Sequence, residues 1–204
     1  MTELAPRLWR WTAYHDEWRD EVGSVYYEAD DAIVLFDPLV PRLEAERFWR
    51  ALDRDVARAG VPVHVLVTVF WHARSAREIV ARYGARLWAN RRARAPIARR
   101  ADEPTDLFRP GDELPGGVRA YDAGRGNEIV FFVPAHGALV AGDVLLGSPL
   151  RLCPESWLPK GKTYADLART LRSLLELPVE RVLVSHGEPV LADAHATLEA
   201  ALAP

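Results

Sequence analysis

The stretch that most restricts the fold is Leu66-Val67-Thr68-Val69-Phe70-Trp71-His72-Ala73-Arg74-Ser75, where an apolar run passes directly into a polar turn and then a helix. Val63–Val69 alternates and is rich in β-branched residues, the signature of an interior strand. Ser75 stands three residues before Glu78, which is capping-box spacing, and Ile79, Val80 and Tyr83 carry the helix on to Gly84. A second junction of this kind lies near the C-terminus. There Val179–Ser185 reads as a strand, His186-Gly187-Glu188-Pro189 as the turn, and a last helix starts from about Leu191.

Several strands precede each junction. Leu8–Tyr14, Ser24–Ala29 and Ala32–Asp37 are apolar or aromatic runs broken by Gly23-Ser24 and Asp30-Asp31. A helix after Pro41 places Leu43, Phe48, Leu52 and Val56 near one face and stops at Gly60 and Pro62. Ala85–Ala89 is a short strand, and the Arg-rich residues 90–106 read as a surface loop. Val118–Asp122 is a strand between turns, and Glu128–Val133 with Ala138–Ala141 forms a hairpin closed by Pro134-Ala135-His136-Gly137. After an irregular Gly147–Gly161, Thr163 caps an amphipathic helix that carries Tyr164, Leu167, Leu171, Leu174 and Leu175 inward and ends at Pro178. This order predicts an α/β chain of one domain, residues 1–204, built as a four-layer αββα sandwich. A doubly wound parallel sheet is the alternative, but it needs fewer consecutive hairpins.

Bulk properties exclude several functional classes. The formal net charge of −3 gives no general drive toward nucleic acid or anionic membrane. No apolar run is long enough to span a bilayer, and the N-terminus lacks the apolar region of a secretory signal. Cys153 is the only cysteine, so neither an intramolecular disulfide nor a Cys-rich zinc cluster can form. A reduced cytoplasmic protein is the expectation. The basic side chains are nearly all arginine and alanine is abundant, as in a GC-rich bacterium.

Five short motifs then fall in order. Asp37 closes the strand of "IVLFDP", Thr68 opens the first turn, Gly124 sits in "DAGRG", Asp143 in "LVAGDVLL" and His186 in "VLVSHGEP". Together they resemble the metallo-β-lactamase superfamily over nearly the whole chain, and the resemblance implies the αββα fold. It also implies a dinuclear metal site, most of whose ligands are absent here. Aligned on Thr68, the loop's histidine positions hold Val69, Trp71 and Arg74, its aspartate position holds Ala73, and the histidine after Gly124 is Arg125. Of the seven implied ligands, Asp143 and His186 remain.

The expectation from this pattern is a dismantled, metal-free site: a pseudo-enzyme or small-molecule-binding protein. Its pocket would gather Trp71, His72, Arg74, Arg125, Asp143 and His186 and suit a small anionic or aromatic ligand. A guanidinium of Arg74 or Arg125 would then replace the metal as the partner of Asp143. The alternative is a mononuclear hydrolase, in which His72, Asp143 and His186 hold one zinc or other divalent metal, the minimum for a catalytic site with a bound water. A third possibility is a scaffold whose aromatic surface forms a homodimer.

Other signals are weaker. Gly161-Lys162-Thr163 lacks the upstream glycine of a phosphate loop, since Ser156 stands there. Arg91, Arg92, Arg94, Arg99 and Arg100 cluster, but Asp102, Glu103 and Asp106 follow at once, so a solvated segment is favoured over a nucleic-acid face. Trp9 and Trp11 share one strand face and are read as core between the sheets. His15, His64 and His195 are read as structural or surface residues, and His136 as exposed.

Overall fold

A computed structural model describes residues 1–203. Its first sheet takes the strands β1 (Thr2–Ala5), β2 (Leu8–His15), β3 (Asp20–Glu28), β4 (Ile33–Phe36), β5 (Val63–Leu66), β6 (Arg86–Asn90) and β7 (Asp106–Phe108), lying side by side in chain order. The β1 to β4 pairings are antiparallel, and those from β4 to β7 are parallel. Parallel neighbours need crossovers, which α1 (Ala45–Ala59), α2 (Ala76–Tyr83) and α3 (Arg94–Arg100) supply.

The second sheet contains β8 (Glu113–Leu114), β9 (Val118–Asp122), β10 (Ile129–Val133), β11 (Ala138–Ala141) and, after a separate hairpin of β12 (Leu145–Leu146) and β13 (Arg151–Leu152), β14 (Arg181–Val184). Its order is β14-β11-β10-β9-β8, with β14 parallel to β11. The remaining helices are α4 (Tyr164–Leu171) and α5 (Ala194–Ala201).

Three buried clusters define four layers. In β4, Ile33 and Leu35 face Phe48, Leu52 and Ile79 of the helices, while Val34 and Phe36 face the second sheet. In β10, Ile129, Phe131 and Val133 pack between the sheets, and Val130 and Phe132 pack toward Leu167 of α4 and Leu198 of α5. Both strands are apolar throughout because both faces are covered. This is the αββα sandwich the sequence predicts.

Four local readings need correction. Residues 90–106 contain α3, anchored by fully buried Ile97, so this Arg-rich segment is a helix with one apolar anchor. Strand β5 ends at Leu66, and the following residues leave the ladder to bond the site. Ser75 makes no capping bond; its Oγ accepts from Val40 N–H at 3.1 Å and ties two loops together. Trp9 and Trp11 pack in the helix-side cluster with Phe48, because their strand face looks outward from the sandwich. At Thr163 the capping box forms with Asp166. No helix among the described residues is long and apolar enough to cross a membrane.

Candidate functional site

The site is built on the ends of β4, β5, β11 and β14 and on the β2–β3 turn. Parallel neighbours deliver their C-terminal ends to the same rim, the usual place for chemistry in such sheets. Asp37 follows β4 with φ of 48°, a left-handed conformation costly for a side chain larger than glycine and typical of functional turns. The bend aims its carboxylate at the loop after β5. There Oδ1 accepts Thr68 N–H at 2.8 Å and Oδ2 accepts the Thr68 hydroxyl at 2.5 Å. Asp37 Oδ2 also lies 2.8 Å from His72 Nδ1.

A carboxylate can only accept, so Nδ1 of His72 carries a proton, and in the neutral ring Nε2 is left with a lone pair. That nitrogen points into a completely buried space, 3.1 Å from Asp143 Oδ1. His186 is arranged in the same way. Its Nδ1 bonds Asp20 Oδ2 at 2.8 Å, and its Nε2 lies 3.4 Å from the same Asp143 oxygen. The other oxygen of Asp143 accepts Trp71 Nε1–H at 2.7 Å. Ligand atoms of His72, Asp143 and His186 all lie within 4.8 Å of one another.

Both imidazole nitrogens stand at ion-pair distance from Asp143 Oδ1, but neither contact has hydrogen-bond geometry. His72 Nε2 and Asp143 Oδ1 are both buried without a hydrogen-bond partner. Orphaned polar atoms of this kind are costly, and an unplaced ion is one of their standard explanations. Two imidazole nitrogens and a carboxylate oxygen, with each histidine braced by a carboxylate behind it, are a donor set for zinc or a similar divalent ion. The residues therefore fit a metal.

Surrounding charges support the same geometry. Burial opposes ionisation of Asp143, yet His186, His72 and Trp71 overcome it and hold the carboxyl well below the usual range. Burial also lowers the pKa of His186, but Asp143 and Asp20 outweigh it and the net shift is upward. Arg74 is drawn down to about 10 by burial, against the pull of Asp37 and Asp143. Trp18 lies against His72 and His186, with ring centroids 5.5 Å and 6.1 Å apart. Arg74 stands 5.5 Å from the Trp18 centroid.

The arginines do not take the role the sequence assigned them. Arg74 donates to the carbonyls of Gly23 and Asp37 and to Ser185 Oγ. Arg125 pairs with Glu128 at 2.7 Å and donates to the Trp157 carbonyl. Among the described residues, the ionic neighbours of Asp143 within 4.0 Å are His72 and His186, and no arginine. The reason is local: Arg74 sits at a backbone bend with φ of 36° that turns it toward the loop carbonyls, and Arg125 finds a buried carboxylate three residues away. Trp71, His72, Asp143 and His186 do come together.

Four contributors escaped the sequence reading. Trp18 comes from the β2–β3 turn and Asp20 from the first position of β3, where ordinary polar-turn composition hides them. His15, read there as structural or surface, stacks on Trp18 at 4.0 Å. Glu128 carried a usable signal, being a carboxylate placed directly before the all-apolar run Ile129–Val133. It is 1% exposed, and burial pushes it up to about 7 against the pull of Arg125. His64 accepts from Trp88 Nε1 and is structural; His195 is exposed; His136 is half-buried against Tyr27. The five clustered arginines are all exposed. A groove of about 1230 Å³ runs between β2 and α1, away from these ligands.

No family model and no curated protein matches the chain by sequence. Solved structures do. A metallo-β-lactamase from Pontibacter korlensis superposes with TM-score 0.73 at 16% identity, covering 98% of this chain and 97% of that one. One from Erythrobacter litoralis gives 0.73 at 16%, covering 98% and 93%. A metallo-β-lactamase family protein from Thermus thermophilus gives 0.67 at 18%, covering 97% and 79%. With the sheet order and the rim site already in place, these end-to-end superpositions establish that this chain has the metallo-β-lactamase fold.

Proposed function

We propose that the chain is a hydrolase working with one divalent metal ion, held by His72, Asp143 and His186. The observation that carries this reading is the convergence of His72 Nε2 and Asp143 Oδ1, both buried and without hydrogen-bond partners, beside His186 Nε2. Such an ion would polarise a scissile carbonyl or phosphoryl group and make bound water acidic enough to supply hydroxide near neutral pH. The chain's residues do the rest. Asp37 and Asp20 fix the histidine tautomers. Trp18 and Trp71 limit water around the ligands. His186, with a side-chain exposure of 19%, marks the open side by which a substrate reaches the centre.

One ion is favoured over two. The second oxygen of Asp143 is engaged by the Trp71 indole. Val69 and Ala73 cannot ligate, and the guanidinium groups of Arg74 and Arg125 repel a cation. A metal-free centre is the competing reading, supported by the place of the His186 ring between two carboxylates, 2.8 Å from Asp20 Oδ2 and 3.4 Å from Asp143 Oδ1.

Metal content separates the two. Protein equilibrated with zinc, manganese or iron(II) and desalted should retain about one ion per chain by elemental analysis. His72→Ala, Asp143→Ala and His186→Ala should each lose it, whereas His64→Ala should keep it. No retained ion, with no thermal stabilisation by any of the three metals, overturns the proposal. A retained ion without turnover on a panel of esters, thioesters, amides and phosphodiesters overturns the hydrolase assignment.

A further inference from the structure

Asp143 is held from two directions, and both lead to one buried ion pair. Oε1 of Glu128 accepts the backbone N–H of Asp143 at 2.6 Å and of Val144 at 2.7 Å. Oε2 takes Arg125 Nη1 at 2.7 Å. The Arg125 guanidinium lies 5.3 Å from the Trp71 centroid and 5.6 Å from that of Trp157, and its Nε donates to the Trp157 carbonyl. Trp71 then returns to the Asp143 carboxylate through its indole N–H. The contacts form a closed circuit: Asp143 backbone, Glu128, Arg125, Trp71, Asp143 carboxylate. Gly142 links it to the histidine side, since a Cβ there would stand 2.6 Å from Thr68 Oγ1 and 2.8 Å from Glu128 Oε1.

We propose that Glu128, backed by Arg125, is a positioning pair that aims Asp143 Oδ1 at the metal. A buried ion pair is a poor source of stability, because apolar residues of similar volume often serve as well or better. Its position against the backbone of the one carboxylate of the ligand set points to geometry. A ligand oxygen must be held to within a fraction of an ångström, and its backbone and its other oxygen are the two handles available. Glu128 grips the first and Arg125, through Trp71, steadies the second. This rests on the one-metal reading above.

The test compares Glu128→Gln and the double variant Arg125→Met/Glu128→Met, which leaves no unpaired buried charge, with Glu28→Gln. Glu28 is a comparably buried carboxylate bonded to Tyr26 and Arg58, away from the ligands. Zinc affinity is read by chelator competition, coordination by the visible spectrum of the cobalt(II) form, and fold by thermal melting of metal-free protein. Both Glu128 variants should melt cooperatively, bind zinc about 10–100-fold more weakly and show an altered cobalt spectrum. Glu28→Gln should lower the melting temperature and leave affinity and spectrum unchanged. Wild-type affinity and spectrum in the Glu128 variants overturn this inference alone. Equal weakening in Glu28→Gln overturns it too, by tracing the effect to general destabilisation. An unaltered protein that binds neither zinc nor cobalt overturns the one-metal reading and this inference with it.

Discussion

Replacing Asp37 by asparagine tests whether a carboxylate that touches no substrate controls the centre through His72. The residue is 3% exposed, and its carboxylate accepts three bonds, from Thr68 N–H, the Thr68 hydroxyl and His72 Nδ1. Asparagine keeps one acceptor oxygen, which can serve Thr68 N–H. Its NH₂ then faces the hydroxyl, which can rotate, and Nδ1, which must give up its proton to remain bonded. Two charge-assisted bonds, each contributing about 1.5–3 kcal/mol, are weakened or lost. Relief from burying an ionised group offsets part of this, leaving a net cost of about 2–4 kcal/mol. For a chain of this length that lowers the melting temperature by about 4–16 °C. Moving the His72 proton to Nε2 also puts a hydrogen where a metal lone pair should be, so zinc affinity should fall about 10–100-fold, or about 1.4–2.7 kcal/mol. Melts in chelator give the first figure, zinc competition the second, and nitrogen NMR of the imidazole reports the tautomer directly. If Asp37→Asn is destabilised but keeps wild-type zinc affinity and Nδ1-protonated His72, the claim that Asp37 sets the ligand is wrong.

Two further outcomes test the fold's supports. Thr163→Ala removes the hydroxyl that accepts Asp166 N–H, one half of the α4 capping box, and should cost about 1 kcal/mol, a drop of a few degrees in the melt, with zinc affinity unaltered. Glu28 is held below the usual carboxylate range, chiefly by its hydrogen bonds from Arg58. A depressed folded-state pKa stabilises above the unfolded value near 4.5 and is lost as pH falls through the folded one. Glu28→Gln should therefore flatten the decline in stability below about pH 4.5, and an unchanged acid limb in chemical denaturation would contradict the Glu28–Arg58 pairing.

The layers were readable because β4 and β10 are apolar at every position, which only a strand covered on both faces can be, and because α1 and α4 carry their buried residues at helical spacing. The site was readable only where a motif carried it. Asp143 and His186 stand in recognisable segments, but the role of His72 depends on the loop after β5 turning to bring its ring under Asp37, a backbone event with no sequence period. The arginines misled for a related reason. Charge complementarity suggested Asp143 as their partner, but the nearest acceptors, Glu128 for Arg125 and loop carbonyls for Arg74, satisfied them first. Asp20 contributes across 166 residues of chain, a separation no local pattern encodes.

The side-by-side sequence of the first sheet, β1 through β7 with no strand out of order, has a consequence for how the molecule is made. Every pairing there joins neighbours along the chain, so that half can form by successive additions across hairpins and single helical crossovers, with low closure entropy. The second sheet cannot, since β14 must travel back past α4 to lie beside β11. On this topology His72 should belong to the half that forms first, and His186 should arrive with the last strand to dock. The ligand set would then be completed only at the end of folding. Pulse-labelled hydrogen exchange should accordingly protect β3–β5 before β11 and β14, with zinc leaving the folding rate unchanged and slowing unfolding.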